Sequence, residues 1–194
     1  ICVFNRERCW QTSIGTENNK GLPKMKIHHK TNIFLENKKW VDKKIFKSKK
    51  NIDQFIYDLS HLTIKECFSK SKFKKLKKEK NLKTYINFIL ADDRILRKLN
   101  IYFLKKNKST NVLSFPNEDF VKKEDNFLGE IFLAYETCYK ESKKYKIDKK
   151  DRIGHLIVHG TLHLLGFDHK NKKDEKKMQD IEYKVLNLLG INYY

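Results

Sequence analysis

Proline is close to absent from this chain: Pro23 and Pro116 are the only two in 194 residues, and glycine occurs seven times. A chain so poor in both has no Gly-rich spacer and no stiff proline-rich connector, which argues against modules strung on linkers. Cysteine is sparse and scattered, at Cys2, Cys9, Cys67 and Cys138. No two of these have metal-knuckle spacing, so the chain reads as neither a cysteine zinc module nor a disulfide scaffold, and reduced thiols are expected. No apolar run approaches the roughly 20 residues of a membrane span. The first residues also lack the apolar middle segment of a secretion signal. A cytoplasmic location without membrane association is therefore expected. Arginine is scarce too: five of the 43 basic residues are Arg6, Arg8, Arg94, Arg97 and Arg152.

What is abundant is lysine. The formal net charge is +19, and an anionic partner is the natural physical counterpart of such an excess. Arginine is the side chain suited to bidentate phosphate recognition, so a lysine excess alone is also what A/T-rich coding would produce. Hydrophobic residues make up 39% of the chain, with 13 Phe and 9 Tyr, enough for the core of one compact domain. Residues 1–24 show no sustained periodicity and precede the first methionine, Met25. They are expected to be a disordered or non-native extension, with the domain running over 25–194.

Periodicity within that domain predicts mixed structure. A strand is expected within 26–36, and 51–69 carry apolar residues at near-helical spacing. Tyr85–Leu90 reads as a strand, followed by Asp92 and Asp93 as caps for a helix through Arg97. Val112–Phe115, stopped by Pro116, and Leu128–Leu133 are further strands. Helices are expected over about 134–146, 149–165 and 174–189. The Lys-rich runs 38–50 and 70–80 read as loops or solvated helix faces, and His28, His29 and His61 as ordinary surface histidines. The fold class is α+β, with a small mixed sheet of about four strands packed by helices.

The stretch HGTLHLLGFDH, residues 159–169, holds three histidines in eleven positions. Asp148 caps the helix that carries it, and His155, His159 and His163 follow one another at intervals of four, as neighbours on one face. Two such imidazoles converge on one Zn²⁺, but His155 and His163 are about 12 Å apart along the axis. One must therefore give way to a ligand from elsewhere. Gly166 is placed to stop the helix in a left-handed turn and send Phe167-Asp168-His169 back. The expected ligands are His159, His163 and His169, with a fourth position open to water as in catalytic zinc sites. The spacing matches the metzincin frame H-E-x-x-H-x-x-G-x-x-H except at Gly160, where those proteases carry their catalytic Glu. Proteolysis is demoted accordingly, and metal-assisted hydrolysis is kept. A glycine inside a helix costs roughly 1 kcal/mol relative to Ala, so Gly160 is expected to make room for a substrate or a neighbouring strand.

HLIVHGTLHLLGFDH at 155–169, followed by Asp174-Glu175 and Met178, resembles the signature of the YbeY family of bacterial rRNA maturation factors. Leu99-Asn100 with STNVLSFP at 109–116, and LGEI at 128–131, resemble two further family motifs; the likeness runs from about Leu90 to Leu189. The resemblance implies a zincin-like single domain with one Zn²⁺ per chain on His159, His163 and His169, acting catalytically through bound water. It implies single-strand-specific endoribonuclease activity in 16S rRNA 3′-end maturation and ribosome quality control, with rRNA and the small ribosomal subunit as partners and no nucleotide cofactor. Asp168 matches the family's Asp, whose role is to orient a histidine or to cap the turn. The family has an arginine where Leu104 stands, so Lys105 is a candidate substitute with Lys106 as the other choice, and Lys108 completes the basic run. Asn111 and Ser114 either donate hydrogen bonds to phosphate or serve the strand and turn. Two rival readings are a non-catalytic ribosome- or rRNA-binding factor with structural zinc, and a zincin-like metallopeptidase. No residue stands out as general base.

Overall fold

The computed structural model describes residues 26–42, 44–69, 81–117 and 126–192. The expectations for residues 1–24, for a start at Met25 and for the lysine run 70–80 lie outside them.

Four strands and five α-helices follow one another along the described chain: β1 (Lys26–Leu35), α1 (Lys49–Ser69), β2 (Asn81–Ala91), α2 (Asp93–Leu104), β3 (Val112–Pro116), β4 (Phe127–Ala134), α3 (Tyr135–Tyr145), α4 (Lys149–Leu164) and α5 (Lys172–Leu188). The sheet order is β1-β2-β4-β3. β1 and β4 flank β2 in parallel, and β3 closes the far edge antiparallel to β4. The α+β expectation with one small mixed sheet holds. Two elements are longer than expected: β2 begins at Asn81 rather than Tyr85, and α2 extends beyond Arg97 to Leu104.

Strand alternation divides the core. On β2, Leu82, Ile86, Phe88 and Leu90 face the large cluster built with α1, α4 and α5. The intervening Ile89 and Ala91 face a smaller cluster with Leu96 of α2, as a period of two requires. Asp92 starts α2 by accepting from Ile95 N–H at 3.0 Å. The lysine run 38–50 is largely turn, yet Trp40 and Phe46 anchor it in the core, with the Trp40 indole donating to Ala91 O at 2.8 Å. Helix α4 is the central element and packs against α1, α3, α5, β3 and β4.

His28 is exposed as expected, but His29 on the next position points inward and is 6% exposed. Its Nε2 lies 3.0 Å from Ser60 Oγ and its Nδ1 3.0 Å from Thr84 Oγ1. Ser60 donates its own proton to Ile56 O at 2.8 Å, so it accepts from His29 Nε2–H and Thr84 donates to Nδ1. This arrangement suits a neutral ring. Burial, reinforced by His61, lowers the His29 pKa from 6.5 to about 4.

A base whose folded pKa is depressed binds fewer protons when folded, so stability is lost as pH falls from 6.5 towards 4. From these two values the loss attributable to His29 is about 3 kcal/mol. Urea titrations across that interval are expected to give a steeper decline for wild type than for His29→Asn; equal slopes would remove His29 from the account.

Candidate metal centre

Helix α4 begins at Asp148, which accepts from Lys150 N–H at 2.7 Å. It ends where Gly166 takes φ +73°. There Gly166 N–H donates to His163 O at 2.9 Å and Phe167 N–H to Leu162 O at 3.0 Å, the paired bonds of a glycine-stopped helix. The reversal brings His169 over the last turn. Its ring centroid lies 5.5 Å from that of His159 and 5.2 Å from that of His163. One ring nitrogen from each of the three lies within 4.8 Å of the others, so this group is able to hold a metal ion.

Tautomers sharpen that geometry. His159 Nδ1 is 2.8 Å from Glu182 Oε1, and His163 Nδ1 is 3.0 Å from Phe167 O. A carboxylate and a carbonyl only accept, so both Nδ1 atoms carry protons, and in the neutral rings both Nε2 atoms present lone pairs. Those two Nε2 atoms face each other at 3.1 Å. Two lone pairs at that distance repel unless a cation lies between them. Bonds of about 2.0–2.1 Å to a tetrahedral Zn²⁺ would place the nitrogens about 3.3 Å apart. The donor set therefore fits a metal.

Glu182 of α5 is the residue that reading the sequence missed. Its side chain is 3% exposed. Burial alone would raise its pKa, but the approach of His155 and His159 outweighs that and draws it down to about 2. The signal was available: Met178, Ile181, Glu182 and Val185 share one buried helical face, and a carboxylate in an apolar stripe needs a partner. His155 stands outside the triad. Its Nδ1 accepts from Arg152 Nη1 at 2.8 Å, and its Nε2 lies 3.7 Å from Glu182 Oε2. Arg152 in turn donates to Glu141 Oε2 through Nε at 2.9 Å and Nη2 at 2.7 Å. Burial lowers the pKa of His155, and burial and the neighbouring imidazoles lower that of His163. Both rings thus favour the neutral form that a network donor or a metal ligand needs.

A cleft of about 920 Å³ opens in front of the triad, lined among others by Leu104, Lys106, Lys108, Asn111, Ser114 and Lys170. Lys105 is not among its lining residues. It caps α2 in the left-handed region at φ 56°, with Nζ donating to Tyr102 O at 3.1 Å. Leu104, where an arginine was expected by resemblance, lines the cleft and is half exposed. The Asn111 amide is committed internally: Nδ2 donates to both Glu141 oxygens at 3.1 Å, and Oδ1 accepts from Val112 N–H. Asp168 accepts from His169 N–H at 2.8 Å and pairs with Lys170 at 3.0 Å. It therefore braces the returning turn through backbone and lysine. Ser114 Oγ is buried without a hydrogen-bond partner. A Cβ at Gly160 would lie 3.0 Å from that oxygen and 3.1 Å from Ile131 Cγ2. Of the two uses foreseen for Gly160, it is the neighbouring strand that occupies the room.

Comparison with known proteins agrees in region. The family model described as "Endoribonuclease YbeY" matches residues 45–190, reaching further upstream than the motifs themselves. The chain is 44% identical over 129 residues to an endoribonuclease YbeY of Buchnera aphidicola subsp. Schizaphis graminum, covering 66% of this chain and 80% of that protein. It is 37% identical over 160 residues to the Wolbachia protein of the same name from Drosophila simulans, covering 82% and 95%. A solution structure from Thermotoga maritima aligns with a TM-score of 0.48 at 20% identity, over 82% of this chain and 91% of that one.

Removing the charge of Glu182 while keeping its shape isolates its effect on the triad. Glu182→Gln is expected to weaken zinc affinity by about 10- to 100-fold, measured by competition with a chromophoric chelator. Unchanged affinity in a folded variant would show that the carboxylate does not tune the imidazoles.

Proposed function

The chain belongs to the endoribonuclease YbeY family, and from that membership we propose that it is a zinc-dependent endoribonuclease of single-stranded RNA. Its place is the cytoplasm, where it matures the 3′ end of 16S rRNA and takes part in quality control of small ribosomal subunits. The observation that carries the reading is the pair of Nε2 atoms of His159 and His163 facing each other at 3.1 Å, with His169 beside them, at a cleft bordered by Lys106, Lys108 and Lys170.

His159, His163 and His169 are the ligands in this reading. A zinc ion held there supplies a Lewis acid for the phosphoryl oxygens and a water acidified to a pKa of about 7. Glu182 keeps the His159 proton on Nδ1, leaving Nε2 free to bind. The backbone carbonyl of Phe167 does the same for His163. Lys106 and Lys108 draw the RNA backbone in as mobile point charges. The Ser114 hydroxyl lines the same cleft and, buried without a partner in the protein, has a hydrogen bond still to give. Asn111 and Asp168 support the site through the contacts described above and carry no step of the reaction. The rival peptidase reading lacks its general base, since strand β3 packs where a residue 160 side chain would extend.

The deciding experiment measures metal content and RNA cleavage together. Wild type is expected to hold one zinc per chain and to cut single-stranded RNA but not casein. His163→Ala is expected to lose both the metal and the cleavage. Cleavage that survives loss of the metal would overturn the catalytic assignment, and a metal-loaded wild type that binds rRNA without cutting would favour the binding-factor alternative. RNA affinity is further expected to fall steeply as salt rises; a flat response would remove the lysines from the interface.

A further inference from the structure

The last turn of α2 exposes what a helix normally hides. Ile101 is 42% exposed, Tyr102 71%, Phe103 54% and Leu104 51%, four consecutive large apolar side chains. The residues of this helix that are buried are Leu96 and Asn100, so these four lie outside its buried face. A contiguous apolar patch of this kind marks an interaction surface.

Three features identify the occupant. The patch meets the cleft at Leu104, which also lines it. Its rings are held rather than loose: Phe103 lies 4.8 Å from Phe115 of β3, Phe115 meets Phe132 edge-on at 5.6 Å, and Tyr102 meets Phe103 edge-on at 4.8 Å. The segment that carries it is of one sign. Lys98, Lys105, Lys106 and Lys108 fall between residues 98 and 110, with no Asp or Glu among them. Lys105 Nζ stands 5.9 Å from the centre of the Tyr102 ring. A second copy of this basic chain would meet like charge here. Aromatic faces bordered by ammonium groups suit unpaired nucleobases with their phosphates, whereas the bases of a duplex are already stacked on one another.

We infer that Tyr102, Phe103 and Leu104 form a stacking platform for bases of single-stranded RNA flanking the phosphate bound in the cleft, and that this platform supplies the preference for unpaired strands. The inference rests on the endoribonuclease reading. Leu104 joins the platform to the cleft.

The test uses the zinc-loaded full chain with a short oligo(A) RNA carrying 2-aminopurine, and the same strand annealed to its complement. Wild type is expected to quench the probe in the single strand. Tyr102→Leu keeps an apolar side chain but removes the ring. It is expected to weaken single-strand affinity by about tenfold, to lose much of the quenching and to leave duplex affinity unchanged, while Tyr102→Phe restores both signals. Bound zinc is to be equal in all three proteins. If wild type neither binds nor cuts the single strand, the functional reading itself fails. If wild type binds and cuts but Tyr102→Leu matches it in affinity and quenching, the platform is refuted. A wild-type dimer that Tyr102→Leu converts to monomer with unchanged RNA affinity would assign the patch to a second copy and refute it equally.

Discussion

The contact between Glu182 and His159 is the constraint on which the centre depends. A neutral imidazole carries its proton on either nitrogen, and only a fixed acceptor at Nδ1 leaves Nε2 free to bind a metal. Glu182 provides that acceptor from a buried position on α5, where an ionised carboxylate is tolerable only because imidazoles approach it from two sides. The contact is continued through His155, Arg152 and Glu141 to Asn111 at the start of β3. The candidate metal centre is thus the exposed end of a polar chain that links α3, α4, α5 and the sheet edge. Its precision comes from the surrounding core, which holds each of those elements in place.

Gly160 shows how backbone proximity sets the chemistry. The centre needs α4 close to β3 and β4, and the distances around residue 160 leave no room for a side chain without displacing Ser114 or Ile131. A metzincin-like histidine frame is retained while the carboxylate of those proteases has no space. A serine hydroxyl on the neighbouring strand faces the vacated position. The same glycine that makes the helix locally less favourable therefore permits the close packing and steers the site away from peptide hydrolysis.

Lys106, Lys108 and Lys170 line the cleft, and a row of aromatic rings runs beside it from the end of α2 to the sheet edge. Lysines attract a polyanion at a distance but impose little geometry on it. The Phe103, Phe115 and Phe132 rings lie in contact with one another and offer a rigid apolar edge beside them.

The α+β class, the approximate bounds of most elements, the stop at Gly166 and the grouping of His159, His163 and His169 were all legible in the sequence, because each rests on local spacing: a period of two or 3.6, a cap, a glycine that permits positive φ. Where the argument required distant segments to meet, the sequence was silent or misleading. Glu182 joins His159 across 23 positions, and His29 is buried by Ser60 and Thr84, 31 and 55 positions away. Lys105 carries the same charge as Lys106 but is turned from the cleft by the left-handed cap of α2. Gly160 allowed two uses until β3 was in place. Spacing along one helix determines which side chains are neighbours on its surface, whereas packing between elements decides which of them are buried, which protons they hold and which face the cleft.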